Sequence, residues 1–205
     1  MNNIVIAIEG MDGVGKSTIA KMIANDFKMK YIEKPLTNLF DIPKLKGKDN
    51  LSLISNNIYN LDDERIKACF FGLGNIYSVL FNQNEDIVID RHFVSNYFWN
   101  GTERSEIIFK SMIDLVGKPD ITILLYASVN TRMERLYIRN QNDYDLKDPE
   151  KKVLGYDKML DFLDKYELPY ILIDTEGKTI DEVYSEVYKV VSSLRENYKV
   201  KKLVK

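Results

Sequence analysis

One stretch limits this chain's possible folds more than any other: Gly10-Met11-Asp12-Gly13-Val14-Gly15-Lys16-Ser17. It matches G-x-x-x-x-G-K-[ST]. The apolar run Ile4-Val5-Ile6-Ala7-Ile8 precedes it, and a segment with helical spacing, 16–28, opens directly after it. Glycines let the backbone curl until successive N–H groups converge on phosphate oxygens. A helix start adds unsatisfied donors and the positive end of its dipole. Lys16 supplies a mobile cation for β- and γ-phosphates, and the Ser17 hydroxyl can ligate Mg²⁺. The loop is therefore expected to bind a nucleoside triphosphate through Gly10, Asp12, Gly13, Val14, Gly15, Lys16, Ser17 and Thr18.

Apolar runs of strand length alternate with amphipathic segments of helix length along the rest of the chain, which predicts an α/β protein. Strands are expected over 4–8, 31–33, 87–90, 121–126 and 170–174. Helices are expected over 16–28, 62–82, 93–100, 105–116, 130–140, 150–166 and 179–198. The last shows Ile180, Val183, Val187 and Val190/Val191 on one stripe. The runs at 4–8 and 121–125 are continuous and apolar, as strands buried on both faces should be. The expectation is a three-layer fold: a five-stranded, mainly parallel sheet flanked by helices, with a short lid. Two polar stretches lack periodicity, a flexible loop at about 34–50 and a lid loop at about 140–148.

With 205 residues, of which 45% are apolar, the chain is expected to form one domain over 1–205 with a sizeable core. Lys and Arg number 29 against 31 Asp and Glu, a formal charge of −2. That balance gives no general drive toward nucleic acid or an acidic membrane. A single cysteine, Cys69, excludes an internal disulfide framework and fits a reducing compartment. Met1 runs into the first apolar segment without a basic leader, and that segment is too short to span a bilayer. A cytoplasmic protein is expected.

Ile87-Val88-Ile89-Asp90-Arg91 is an apolar strand ending in an acid, where Mg²⁺ needs a carboxylate directly or through water. Arg91 then falls at the carboxyl edge of the sheet, where ligands of open α/β sheets bind, and can hold phosphate bidentately. Downstream, Arg132, Arg135 and Arg139 fall on one helix face and suit the charge of a transferring phosphoryl group; the alternative is a solvated face. A GTPase switch is a poor fit. No N-K-x-D base reader occurs, and the DxxG at Asp174-Thr175-Glu176-Gly177 comes too late in the chain.

Ile8-Glu9-Gly10-Met11-Asp12-Gly13-Val14-Gly15-Lys16-Ser17-Thr18 resembles the opening signature of thymidylate kinases. Asp90-Arg91-His92-Phe93-Val94-Ser95-Asn96-Tyr97-Phe98-Trp99-Asn100-Gly101 is similar to a later block of that family, and Pro119-Asp120-Ile121-Thr122 to its lead into the fourth strand. The resemblance spans about 4–198. It implies ATP and Mg²⁺, with Ser17 and Asp90 at the metal, and Asp12 near the acceptor. Arg91 would bridge the donor and acceptor phosphates. Phe71 would stack on the acceptor base, although core packing would also explain it. Asn96 or its neighbours, among them Ser95, would hydrogen-bond the base edge, although Asn96 could instead cap a helix turn. Trp99 would crowd the sugar's 2′ position, or else plug the interior.

The family places a catalytic arginine either in the phosphate loop or in the lid. Gly13 occupies the loop position here, so Arg139 is singled out, with Arg135 second. Asn75 stands where the family reads the base with Arg, His92 replaces a Tyr, and Glu33-Lys34-Pro35 replaces Arg-Glu-Pro with its charges exchanged. The resemblance also implies a homodimer through the apolar helix 62–82. ATP-dependent phosphoryl transfer to a deoxynucleoside monophosphate, dTMP to dTDP, is the leading expectation. Rivals are a deoxynucleoside kinase using Glu33 as base and a nucleotide-binding regulatory module without turnover.

Overall fold

The computed structural model describes residues 3–40, 47–141, 146 and 155–203. Its centre is a sheet of five strands, all parallel, in the order β2-β3-β1-β4-β5. The strands are β1 (Val5–Gly10), β2 (Lys30–Glu33), β3 (Ile87–Asp90), β4 (Ile121–Tyr126) and β5 (Tyr170–Asp174). Every residue of β1 and β3 is buried, which explains why they read as unbroken apolar runs rather than as alternating ones.

The helices are α1 (Lys16–Asp26), α2 (Leu36–Leu39), α3 (Gly47–Tyr59), α4 (Glu64–Leu80), α5 (Phe93–Asn100), α6 (Glu106–Val116), α7 (Val129–Arg139), α8 (Gly155–Lys165) and α9 (Ile180–Leu203). Alternate strand residues feed two separate cores. Ile6, Ile8, Val88, Ile123 and Leu125 pack against α1 through Ile19 and Ile23 and against α9 through Val183, Val187 and Val191. Val5, Ile87, Ile89 and Leu124 pack on the other side against α4, α5, α6 and α8, with Phe93, Phe109, Met112 and Phe162 filling that layer. The three-layer expectation holds.

Two expectations need correction. The stretch 34–50, expected as an irregular loop, holds α2 and the beginning of α3; 41–46, most of the lid loop (142–145 and 147–148) and the start of the helix expected from 150 lie outside the described residues. Ile180 leaves the α9 stripe: it is 58% exposed and lines the cavity of the phosphate loop instead of the core. The buried positions of α4 are Ala68, Gly72, Gly74, Asn75, Ser78 and Val79, most of them small. A Cβ on Gly72 would stand 2.2 Å from the Met112 sulfur, so this glycine lets α4 and α6 approach closely. Ile66, Leu73 and Leu80 of α4 consequently face outward.

Phe162 joins three helices of one layer, with its ring 4.4 Å from Tyr97 of α5 and 5.8 Å from Phe109 of α6. Phe162→Ala should cost about 3–5 kcal/mol of stability, read as a lower denaturant midpoint at unchanged slope. A loss below about 1 kcal/mol would mean that α8 does not pack as described.

Candidate active site

Parallel register brings the chemistry together. Ile8 of β1 and Glu33 of β2 both pair with Asp90 of β3, so the phosphate loop, the end of β2 and the Asp90-Arg91 turn leave one edge of the sheet side by side. The sheet reverses its winding at β1, between β3 and β4, and the crevice of such an open sheet forms there. Two cavities open along this edge.

The first cavity, about 750 Å³, is lined by the loop from Asp12 through Thr18, with Arg135 and Arg139 of α7 opposite. Gly10, expected among the phosphate binders, does not line it. That residue has φ +134°, and a Cβ there would meet the Leu125 carbonyl oxygen at 2.3 Å, so its role is close packing of β1 on β4. Lys16 is 5% exposed; its Nζ donates to the Met11 carbonyl at 2.7 Å and lies 3.6 Å from Asp12. Burial, reinforced by the Arg91 charge, pulls its pKa down to about 8. Arg135 donates to the Thr175 hydroxyl at 2.9 Å and the Thr175 carbonyl at 2.7 Å, which fixes its guanidinium along the cavity wall.

The expected three-arginine face divides. Arg135 and Arg139 line the cavity, whereas Arg132 is completely buried, its guanidinium without a hydrogen-bond partner among the described residues and the Tyr156 ring 5.9 Å away. A residue at i−3 from Arg135 is turned by about 60° around the helix, enough here to carry Arg132 into the interior.

Ser17 and Asp90 meet, with the Ser17 hydroxyl donating to Asp90 Oδ2. Tyr31 also donates to that oxygen, at 3.2 Å, and to Glu33 at 3.2 Å. Asp90 Oδ1 is buried without a hydrogen-bond partner among the described residues. An orphaned carboxylate oxygen beside a serine hydroxyl at a phosphate loop fits the donor set of Mg²⁺.

The second cavity, about 500 Å³, is lined by Phe71, Asn75, Ser95, Asn96 and Trp99. Phe71 lies outside both cores, its ring 5.0 Å from Tyr59 of α3 and 5.1 Å from Phe70. Trp99 is 49% exposed and so is not an interior plug. Asn96 is occupied within the fold: its Nδ2 donates to the Ala68 carbonyl at 3.1 Å, and its Oδ1 accepts from Asn100 at 2.9 Å. Asn75 is buried and its Nδ2 has no partner. The neighbouring His92 is buried as well. Desolvation, partly opposed by the Asn75 backbone, brings its pKa to about 4, so its ring is neutral at pH 7.

Asp12, Lys34, Asp90 and Arg91 line both cavities and so form the seam between them. Arg91 pairs with Asp12 and donates to the Ser95 hydroxyl at 3.3 Å. Its backbone takes φ +72°, a strained conformation for a side-chain-bearing residue. What holds it there is Glu9, which sequence reasoning passed over. This completely buried carboxylate accepts the His92 N–H at 2.7 Å and the Ser95 N–H at 3.2 Å, and so caps α5 from the end of β1. Burial pushes the Glu9 pKa up, while Ser95, the two backbone donors and Arg91 pull against that. An acid closing an otherwise apolar strand was the available signal. Tyr31 and Tyr59 gave no comparable sign. Glu33 lines the first of these cavities and not the second.

A thymidylate kinase family model matches residues 53–187, which takes in Phe71, the Asp90–Gly101 block and α7. A "Probable thymidylate kinase" of Methanocaldococcus jannaschii is 28% identical over 192 residues, covering 91% of this chain and 95% of the relative. Among solved structures, a thymidylate kinase from Candida albicans superposes with a TM-score of 0.66 at 20% identity, covering 96% of this chain and 93% of that one. A deoxyadenosine kinase from M. mycoides gives 0.64 at 18% identity, over 93% of this chain and 100% of that one. These two structures share the fold. The family match extends over well more than half of the sequence, and the chain belongs to the thymidylate kinase family.

Proposed function

We propose that this protein transfers the γ-phosphoryl group of ATP to a deoxynucleoside monophosphate, dTMP being the expected acceptor, within a single kinase domain. The observation that carries the reading is the seam: two cavities of nucleotide size meet at Asp12, Asp90 and Arg91, one walled by the phosphate loop and the other by an aromatic ring and buried amides. ATP occupies the loop cavity, with Arg135 along the nucleoside side and Arg139 reaching toward the phosphates. The acceptor base stacks on Phe71, with Asn75 at its edge, Trp99 beside the sugar and Ser95 and Asn96 shaping the wall.

An acceptor phosphate is already anionic at neutral pH, so the reaction needs no strong base. Lys16 follows the migrating charge, and Arg91 exchanges Asp12 for the phosphates that meet at the seam. Glu9 keeps Arg91 aimed while that exchange occurs. Ser17 and Asp90 would hold Mg²⁺, which would supply charge neutralisation on the phosphates when bound.

The deoxynucleoside kinase reading has the M. mycoides fold neighbour in its favour. It needs a carboxylate beside the acceptor's 5′-hydroxyl, and Glu33 stands on the loop cavity instead. The outward apolar residues Ile66, Leu73 and Leu80 of α4 support a homodimer through that helix. No helix among the described residues is long and apolar enough to cross a membrane. With the reducing compartment suggested by a lone cysteine, we assign the protein to the cytoplasm.

An acceptor screen with ATP, read as ADP release, tests the reaction. Turnover of dTMP above thymidine and the other nucleosides is expected; turnover of nucleosides alone would establish the rival reading. Lys16 gives a second test. Its depressed pKa means that the free site is progressively neutral above about pH 8, while bound phosphates favour the charged amine. ATP binding should therefore take up almost no proton at pH 7 and a growing fraction of one between pH 8 and 9.5. Calorimetry in buffers of different ionisation enthalpy measures this. Uptake that stays flat across that range would contradict the placement of Lys16 against the phosphates.

A further inference from the structure

Among the described residues, four other than glycine have positive φ: Lys28, Lys34, Arg91 and Glu167. Lys28 and Glu167 lie just past the ends of α1 and α8, where a left-handed residue commonly closes a helix. Lys34 and Arg91 have no such explanation. Each directly follows a strand, and the last residues of those strands, Glu33 and Asp90, are partners in the sheet register. The two left-handed residues are thus neighbours at one edge, both basic, and both line the two cavities. Backbone strain of this kind persists where the surrounding structure uses it.

The two cations differ in their surroundings. The Arg91 guanidinium is matched by Asp12. Lys34 is exposed, and among the described residues its ammonium has no ion-pair partner. Its segment also belongs to one side. Pro35, Leu36 and Thr37, which follow it into α2, all line the second cavity and not the first. The Lys34 carbonyl accepts the Thr37 N–H at 2.9 Å, which anchors the turn.

We propose that Lys34 binds the phosphate of the monophosphate acceptor, as a second cation beside Arg91. A flexible ammonium at the mouth of the acceptor cavity can reach an anion entering from either direction. Its left-handed backbone sets it at the seam, where an extended residue would carry the chain away from the cavity. The assignment rests on the monophosphate kinase reading and adds to it a residue that selects for a phosphorylated acceptor.

The test uses the whole protein without ATP. Binding of dTMP and of thymidine is measured calorimetrically for wild type, Lys34→Gly and Lys34→Arg, with a thermal melt of each. Glycine accepts positive φ without strain, so Lys34→Gly should melt at or above the wild-type temperature. Its dTMP affinity should nonetheless fall at least tenfold, with thymidine affinity within twofold of wild type. Lys34→Arg should restore most of the dTMP affinity. Unchanged dTMP binding in Lys34→Gly would leave Lys34 as a turn residue only. Equal losses for dTMP and thymidine would mean that it shapes the cavity and reads no phosphate, and either result overturns the proposal. A wild-type protein that binds thymidine as tightly as dTMP would bring down the monophosphate reading itself, and the proposal with it.

Discussion

Glu9 is withdrawn completely from solvent at the end of β1, and its carboxylate reaches across to the backbone N–H groups of His92 and Ser95. A buried carboxylate is costly unless its oxygens are matched by donors. Here the first turn of α5 supplies them, and the positive end of that helix adds to the match. The clamp fixes the path of the chain from β3 into α5 and carries Arg91 through a left-handed conformation at the seam. Asp12 lies two residues past the end of β1 and meets Arg91 from the other side. One buried charge thus relates the phosphate loop to the strand-end arginine.

The resting site is a self-neutralising cluster. Lys16 faces Asp12, Arg91 pairs with Asp12, and Asp90 is held by Ser17 and Tyr31. Such an arrangement keeps several charges in a partly buried crevice without a ligand, and it makes each of them available when phosphate arrives. Because Asp12 serves both cations, drawing either of them onto a phosphate alters the field at the other. Under the proposed reading, that shared carboxylate links the donor side of the seam to the acceptor side.

Much of this arrangement could be read from residues alone. Strands buried on both faces announce themselves as apolar runs, and the loop motif carries its own chemistry, so β1, β3, β4 and the phosphate loop were legible. Where small or polar residues build the packing, the reading failed. The buried positions of α4 include Ala68, Gly72, Gly74 and Ser78, which carry no apolar signal of their own. Helix α3, rich in asparagine and serine, hid a spacing of Leu51, Ile54 and Ile58 that only half-buries against its neighbours. Arg132 reads as a surface charge and is interior. Lys34 was visible only as an exchanged charge, because backbone handedness leaves no mark on a sequence.

The central claim is that two nucleotide cavities share one phosphate seam. A bisubstrate analogue, adenosine and thymidine joined 5′ to 5′ by five phosphates, tests it most directly. The account predicts one molecule bound per chain, competition with both ATP and dTMP, and a Kd below that of either nucleotide. An analogue that displaced ATP alone, and bound no more tightly than ATP does, would contradict it.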